Sequence, residues 1–297
     1  MEHSKKRVRW VAIVFLFLAM AMLLPQCVSL RMSDKAIAEY FTDAPVKPSF
    51  HTLSSNGRPV HYALLSSHRS GADSLPVVVF VHGSPGSWDA FIAFFNDSSL
   101  YNRARLISVD RLGFGKSGLG IPETSLQKQA AAVAAVIADV TPSGRAVLVG
   151  HSLGGPVVAR LAMDFPNRVN SLILVAPSID PALEKQEWYR PALASFPIRY
   201  LLPKELDVSN REIKPLKGEL MRMMPLWASI NVPVTVIQGD KDDLVPPGNA
   251  DFAKRMLTHA PVRIQMLPGM NHFIPWRRAD TIHDAILNNL PEQTAGW

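Results

Sequence analysis

The chain has 297 residues, 47% of them hydrophobic and 19% charged, a composition that excludes a disordered or polytopic membrane protein and allows one domain of about 250 residues. Of the formal charge of +6, half comes from Lys5, Lys6, Arg7 and Arg9 set against Glu2, and the body carries no basic run interleaved with aromatics, which excludes nucleic acid as a partner. Cys27 is the single cysteine, so there is no internal disulfide and no paired-thiol redox or zinc motif.

Residues 1–9 are basic, and Trp10 to Leu24 is an unbroken apolar run. This is the pattern of a secretory signal or a membrane anchor, and at 15 residues it is shorter than the roughly 20 that span a bilayer. Residues 1–30 therefore read as a signal or anchor segment with three fates: cleavage after Ser29, retention with membrane association through residues 10–24, or lipidation at Cys27. Each leaves the body exported or anchored outside the cytoplasm, in the periplasm if the source is Gram-negative.

A polar connector follows over 31–49. Two strands around Phe50–Leu53 and Val60–Leu65 are joined at Asn56-Gly57, a strong hairpin signal. Strands and helices then alternate. Apolar strands are expected at Val77–Val81, Arg105–Val109, Ala146–Val149, Ser171–Ala176, Val234–Gln238 and Val262–Leu267. Helices are expected at Trp88–Phe95, Ser125–Asp139, after Gly155 and at Thr281–Leu290. Near-continuous apolar strands between helices specify an α/β fold, a doubly wound and mostly parallel sheet covered on both faces. The core occupies 50–177 and 232–297. Residues 178–231, rich in Pro, Trp and Met, form a long insertion between two strands, expected to be a small helical cap. Its methionines and tryptophans suggest an apolar acyl pocket, with core packing the alternative for any one of them.

The chemistry concentrates where three strands end. Gly150-His151-Ser152-Leu153-Gly154 puts a serine on a sharp strand-to-helix turn, flanked by glycines where strand and helix pass closely. A serine hydroxyl needs a base to remove its proton, a third group to orient that base, and N–H donors for the oxyanion. Downstream, one strand ends in Asp240-Lys241-Asp242-Asp243 and another in Gly269-Met270-Asn271-His272. Asp242, Asp243 and Asp180 are the candidate acids. His82, His151, Asp110 and Arg111 read as braces of the site loops, and Lys116 as solvent-facing. Gly113-Phe114-Gly115-Lys116-Ser117-Gly118 satisfies the dinucleotide fingerprint G-x-G-x-x-G. However, Pro122 delays the next helix and no acid ends a strand some 20 residues on, so no cofactor is expected. Without an HExxH motif or a cysteine cluster, no metal is expected either.

Five motifs in order resemble the α/β-hydrolases over residues 50–290: His82-Gly83-x-Pro85-Gly86, Asp110-Arg111-x-Gly113-x-Gly115-x-Ser117, Gly150-His151-Ser152-Leu153-Gly154-Gly155, Gly239-x-x-Asp242-x-x-Val245-Pro246 and Gly269-x-x-His272. The resemblance implies a serine hydrolase of the esterase/lipase-like branch, with Ser152 as nucleophile, His272 as base and Asp242 as its orienting acid. The backbone N–H groups of Ser84 and Leu153 would form the oxyanion hole. A serine rather than an aspartate as nucleophile argues against the dehalogenase and epoxide-hydrolase branches. The expected substrate is a small-molecule carboxylic ester with a small or medium apolar acyl group. Alternatives are hydrolysis of other acyl or C–C bonds, acyl transfer, an idle binding protein of this fold, and an anchored protein whose cap docks lipid. The sequence leaves the oligomeric state open.

Overall fold

The computed structural model describes residues 29–67, 71–141, 144–185, 187–196 and 198–291. The basic and apolar stretch before residue 29, with Cys27, lies outside them. Among the described residues no helix is long and apolar enough to cross a membrane.

Eight strands form one sheet: β1 (Ser49–Ser55), β2 (Arg58–Leu65), β3 (Val77–Val81), β4 (Arg105–Val109), β5 (Ala146–His151), β6 (Val169–Val175), β7 (Val234–Gly239) and β8 (Val262–Leu267). Their spatial order is β1-β2-β4-β3-β5-β6-β7-β8. The β1–β2 and β2–β4 pairs are antiparallel and every other pair is parallel. The hairpin forms at Asn56-Gly57, where both residues take positive φ (50° and 74°), as a two-residue turn between right-twisting strands requires.

Seven helices of seven residues or more are described: α1 (Asp34–Tyr40), α2 (Leu126–Val140), α3 (Gly154–Asp164), α4 (Lys204–Ile213), α5 (Leu216–Met223), α6 (Gly248–Met256) and α7 (Ala279–Asn289). Ser125 caps α2 by accepting from the Lys128 N–H, and Ser33 caps α1 by accepting from Ala36, each satisfying a first-turn donor with no partner inside the helix.

Alternate residues of each strand feed opposite faces of the sheet. Val79, Val81, Leu148, Leu174 and Val236 pack with α2, α3 and α6. Phe80, Val149, Ile173, Val175 and Ile237 pack with α1, α7 and the aromatic segment after β3. Coverage on both faces is why these strands are apolar throughout instead of alternating with polar residues.

Trp88–Phe95, expected as an α-helix, is instead a 3₁₀ segment over Trp88–Asn96 with a break at Phe91. The three-residue spacing of Trp88, Phe91 and Phe94 explains this, because three residues per turn put all three on one side. Phe91 and Phe94 stack on Phe80 at centroid distances of 4.9 and 5.1 Å. The terminal helix starts two residues earlier than the pattern suggested, at Ala279. The chain between β6 and β7 carries α4, α5, a turn of helix at Arg190–Leu193 and short 3₁₀ segments. Met223 and Trp227 from this stretch are fully buried in the core.

β5, α3 and β3 meet with no space for a side chain. A Cβ on Gly154 would lie 2.1 Å from the Val81 carbonyl oxygen, and one on Gly150 would lie 2.5 Å from that of Gly154. Gly154→Ala should therefore lower the unfolding free energy by about 3 kcal/mol through overpacking, measured by urea denaturation. A loss below about 0.5 kcal/mol, the level of an ordinary surface substitution, would contradict this close approach.

Candidate active site

Ser152 stands between β5 and α3 with φ of +54°, a left-handed conformation that is strained for a residue with a Cβ. Its N–H donates to the Val175 carbonyl at 2.9 Å, and its own carbonyl accepts from Gly155 at 2.9 Å, so the surrounding backbone fixes the turn. The loop after β3 crosses directly over it. A Cβ on Gly83 would come within 2.8 Å of the Ser152 Cβ, so only glycine lets the Ser84-Pro85 backbone, joined by a cis peptide, pass this close. Among the described residues the N–H groups of Ser84 and Leu153 have no partner, and both residues line the cavity that Ser152 faces.

His272 follows β8 and also lines that cavity. Its Nδ1 lies 2.7 Å from Asp242 Oδ2. Asp242 is 3% exposed and fully engaged. Oδ1 accepts from the Leu244 and Val245 N–H groups at 3.0 and 2.8 Å, and Gln238 Nε2 donates to Oδ2 at 3.2 Å. These bonds keep the carboxylate aimed, the arrangement that fixes an imidazole's tautomer. Neither alternative acid meets the His272 ring. Asp243 is exposed, with its carbonyl accepting from Lys185. Asp180 accepts from the Ala182 N–H and sits 3.8 Å from an Arg255 nitrogen.

The loops around these residues hang on Arg111. Its Nε donates to the His82 carbonyl and one terminal nitrogen to the Gly83 carbonyl, both at 2.9 Å. The guanidinium also forms a two-pronged pair with Glu212 of α4, at 2.8 and 2.9 Å, and donates to Gln129 at 2.6 Å. Arg111 and Glu212 side chains are 0% and 1% exposed. Asp110 next to it accepts from the Trp88 and Lys116 N–H groups at 2.8 and 2.9 Å and from His61 Nδ1 at 2.9 Å. The Lys116 ammonium reaches Asp34 at 3.1 Å on the surface. The glycine-rich loop wraps this carboxylate: a Cβ on Gly115 would lie 2.1 Å from the Asp110 Cγ. Nothing in the sequence separates Glu212 from a solvated helix carboxylate, and reading by pattern misses it.

Two buried histidines flank the site without joining it. His82 Nε2 accepts from the Arg111 N–H, and its Nδ1 donates to the Gly83 carbonyl. Burial, reinforced by the Arg111 charge, lowers its pKa to about 3. His151 Nε2 donates to the His272 carbonyl at 3.1 Å, and burial followed by the nearby His272 lowers its pKa to about 3. Both stay neutral where the neighbouring His272 would work.

The cavity holds about 710 Å³. Ile92, Leu153, Ile213, Leu216 and Val245 supply apolar wall. At one side Glu184 accepts from the Ser178 hydroxyl at 2.6 Å, and burial pushes its carboxyl pKa up against that hydrogen bond and the charges of Arg190 and Lys217. The methionines of the insertion are not in this wall. Met223 is core, Met224 packs against the core and Met221 is exposed, so the alternative of plain packing holds for Met223 and Met224. Met32 from the connector is the methionine that reaches the cavity. Among the described residues no three His, Cys, Asp or Glu side chains gather so as to hold a metal.

A model of the α/β-hydrolase fold matches residues 76–201, and the strand order and serine turn described above complete the picture. The chain has the α/β-hydrolase fold. The chain is 33% identical over 164 residues to the dihydrolipoyllysine-residue acetyltransferase component of the acetoin cleaving system of Cupriavidus necator, covering 53% of this chain and 41% of that one. It is 28% identical over 256 residues to the pimeloyl-acyl-carrier-protein methyl ester esterase of Nitrosomonas europaea, covering 70% and 93%. The chain spans less than half the length of the first of these relatives. In structure it superposes on Cfl2 from Burkholderia cenocepacia with a TM-score of 0.66 at 16% identity, over 82% of this chain and 95% of that one, a likeness of fold.

Two stability measurements probe this site. Glu212→Ala leaves the Arg111 cation buried and unpaired and should cost about 3–5 kcal/mol, whereas Arg111→Met with Glu212→Leu should recover most of it. Denaturant titration of the three variants checks this, and a single-variant loss under about 1 kcal/mol, the worth of an exposed pair, would show the pair to be dispensable. The two histidines set a pH dependence. Their pKa values fall from 6.5 to about 3 on folding, so below pH 6.5 the unfolded chain binds protons that the folded chain refuses. Their stabilisation is complete above pH 6.5 and is lost as pH falls toward 3, with a slope approaching about 1.4 kcal/mol per pH unit for each group. Calorimetry from pH 7.5 to 5.5, where ordinary carboxylates stay ionised, should show a falling melting temperature. A flat profile would refute the neutral burial.

Proposed function

We propose that this α/β-hydrolase is a serine hydrolase that cleaves carboxylic esters of small or medium apolar acyl groups through an acyl-enzyme. One observation carries the reading: a strained serine opens onto the same apolar cavity as a histidine whose other ring nitrogen is held at 2.7 Å by a buried carboxylate. In this mechanism Ser152 Oγ attacks the ester carbonyl while His272 Nε2 takes its proton. Asp242 holds Nδ1–H and balances the imidazolium charge. The oxyanion takes the N–H groups of Ser84 and Leu153, donors already in place and without partners among the described residues, so little reorganisation opposes the step. α3 begins directly after Leu153, and its N-terminal dipole adds to the same field. The alkoxide leaves with the proton returned from His272, and water then repeats the sequence on the acyl-enzyme. The similarity to a methyl ester esterase over most of that relative's length supports the ester reading over acyl transfer. Residues 1–9 and the run Trp10–Leu24 fit export or anchoring, and on that reading the body works outside the cytoplasm.

A fluorophosphonate probe should label Ser152 alone, mapped by mass spectrometry, and Ser152→Ala should abolish both labelling and turnover of p-nitrophenyl esters. Asp242→Asn should lower kcat about 10⁴-fold by fixing the wrong His272 tautomer, while Asp243→Asn and Asp180→Asn stay within about threefold, as expected of carboxylates off the His272 ring. An adduct on another residue, or a larger loss for Asp243→Asn, would sink the assignment.

A further inference from the structure

The mouth of the cavity is built unlike its floor. Leu30, Tyr189, Leu244, Phe273 and Trp276 all border the cavity, yet they are 40–63% exposed. They come from four separate parts of the chain: the N-terminal stretch before α1, the insertion after β6, the Asp242 loop and the His272 loop. Trp188, 87% exposed, extends the set outward and packs edge-on to Tyr189 at 6.0 Å. Isolated apolar side chains on a surface are ordinary, but a rim of them around one opening marks a docking surface. Its aromatic members, Tyr and Trp above all, favour the boundary between water and lipid.

The connector identifies the partner. Ser29 Oγ lies 3.2 Å from Glu205 Oε1, and the Met32 N–H donates to Asp89 Oδ2 at 2.7 Å. The chain is thus pinned on the rim at residues 29–32, with Leu30 and Met32 both bordering the cavity. The apolar run ends at Leu24, and the six residues from there to Leu30 reach at most about 22 Å. An apolar segment buried in a bilayer would therefore hold the cavity mouth within that distance of the lipid. The geometry points to a lipid bilayer as the docking partner of this rim, with the cavity opening toward the membrane and taking ester substrates that partition into it. The docking needs no catalysis; the lipid-ester substrate class rests on the proposed ester hydrolysis.

The test uses the full chain with Cys27→Ser and single labelling sites at Leu30→Cys, Leu244→Cys or Trp188→Cys. The control is Asn167→Cys, an exposed residue just before β6 at the opposite end of the sheet. Each variant carries an environment-sensitive fluorophore and is reconstituted in phosphatidylcholine vesicles with or without a spin-labelled lipid quencher. Rim labels should be quenched about twofold or more and the Asn167 label hardly at all, as for apolar side chains set into the headgroup boundary. Rim labels quenched no more than the control would overturn the proposal. So would rim labels that quench one another as protein density rises without responding to the lipid quencher, since the rim would then be an interface between two copies. For the substrate, Trp188→Ser should lower hydrolysis of diacylglycerol in vesicles about fivefold or more and leave p-nitrophenyl butyrate within about twofold, because one interfacial aromatic contributes to lipid partitioning and not to the chemistry. Equal losses on both would overturn the lipid-ester class. Quenched rim labels on a chain that hydrolyses neither ester would refute ester hydrolysis and leave the docking standing.

Discussion

A single buried guanidinium ties together the parts of the molecule that must act together. Arg111 leaves the end of β4, takes the carbonyls of His82 and Gly83 in the loop over Ser152, and closes on Glu212 from a helix some 100 residues later. Burial of both charges is unfavourable on its own, and the two-pronged geometry with the extra acceptors is what offsets it. The loop carrying the Ser84 N–H is therefore fixed by the same ion pair that seats α4 on the core. Local rigidity at the Ser84 N–H and attachment of the insertion are one interaction.

The site shows a division between groups that stay fixed and groups left free to act. Backbone contacts hold Ser152 in its strained turn, and four polar contacts hold Asp242. His82 and His151 are neutral donors and acceptors to the backbone, kept from titrating by burial. Among the described residues, the face of His272 toward the cavity and the two N–H groups of Ser84 and Leu153 remain unengaged. Preorganisation of this sort concentrates electrostatic stabilisation where charge would develop.

Much of this was legible because it depends on local rules. Apolar runs covered on both faces specify a parallel sheet, Asn56-Gly57 specifies a tight hairpin, and the glycines around Ser152 specify a close crossing. The motif register puts Asp242 ahead of Asp243 and Asp180, but the contact with His272 at 2.7 Å is a three-dimensional approach that no local pattern states. The segment after β3 was misread because its aromatic spacing of three suits 3₁₀ packing on Phe80, and propensity does not see that partner. The methionines of the insertion fit pocket wall or core by pattern alone, and Met223 and Met224 join the core while Met221 is exposed; nothing in the sequence marks Leu30 and Met32 as reaching the cavity. Glu212 was invisible for a related reason: a carboxylate on an amphipathic helix looks solvated until its counter-ion arrives from elsewhere.

The glycine-rich turn around Asp110 carries a lesson about anion-binding loops. Its spacing matches a nucleotide fingerprint, and the cradle it forms is real: Gly115 makes room and the Lys116 N–H donates. The anion in the cradle is the chain's own carboxylate, five residues upstream of Gly115. A glycine pattern of this kind thus reports the backbone shape needed to surround a negative charge, and the resident charge can be covalently built in. An acidic residue placed just before such a run, at the end of the same strand, is the feature that separates an internally occupied loop from one open to phosphate.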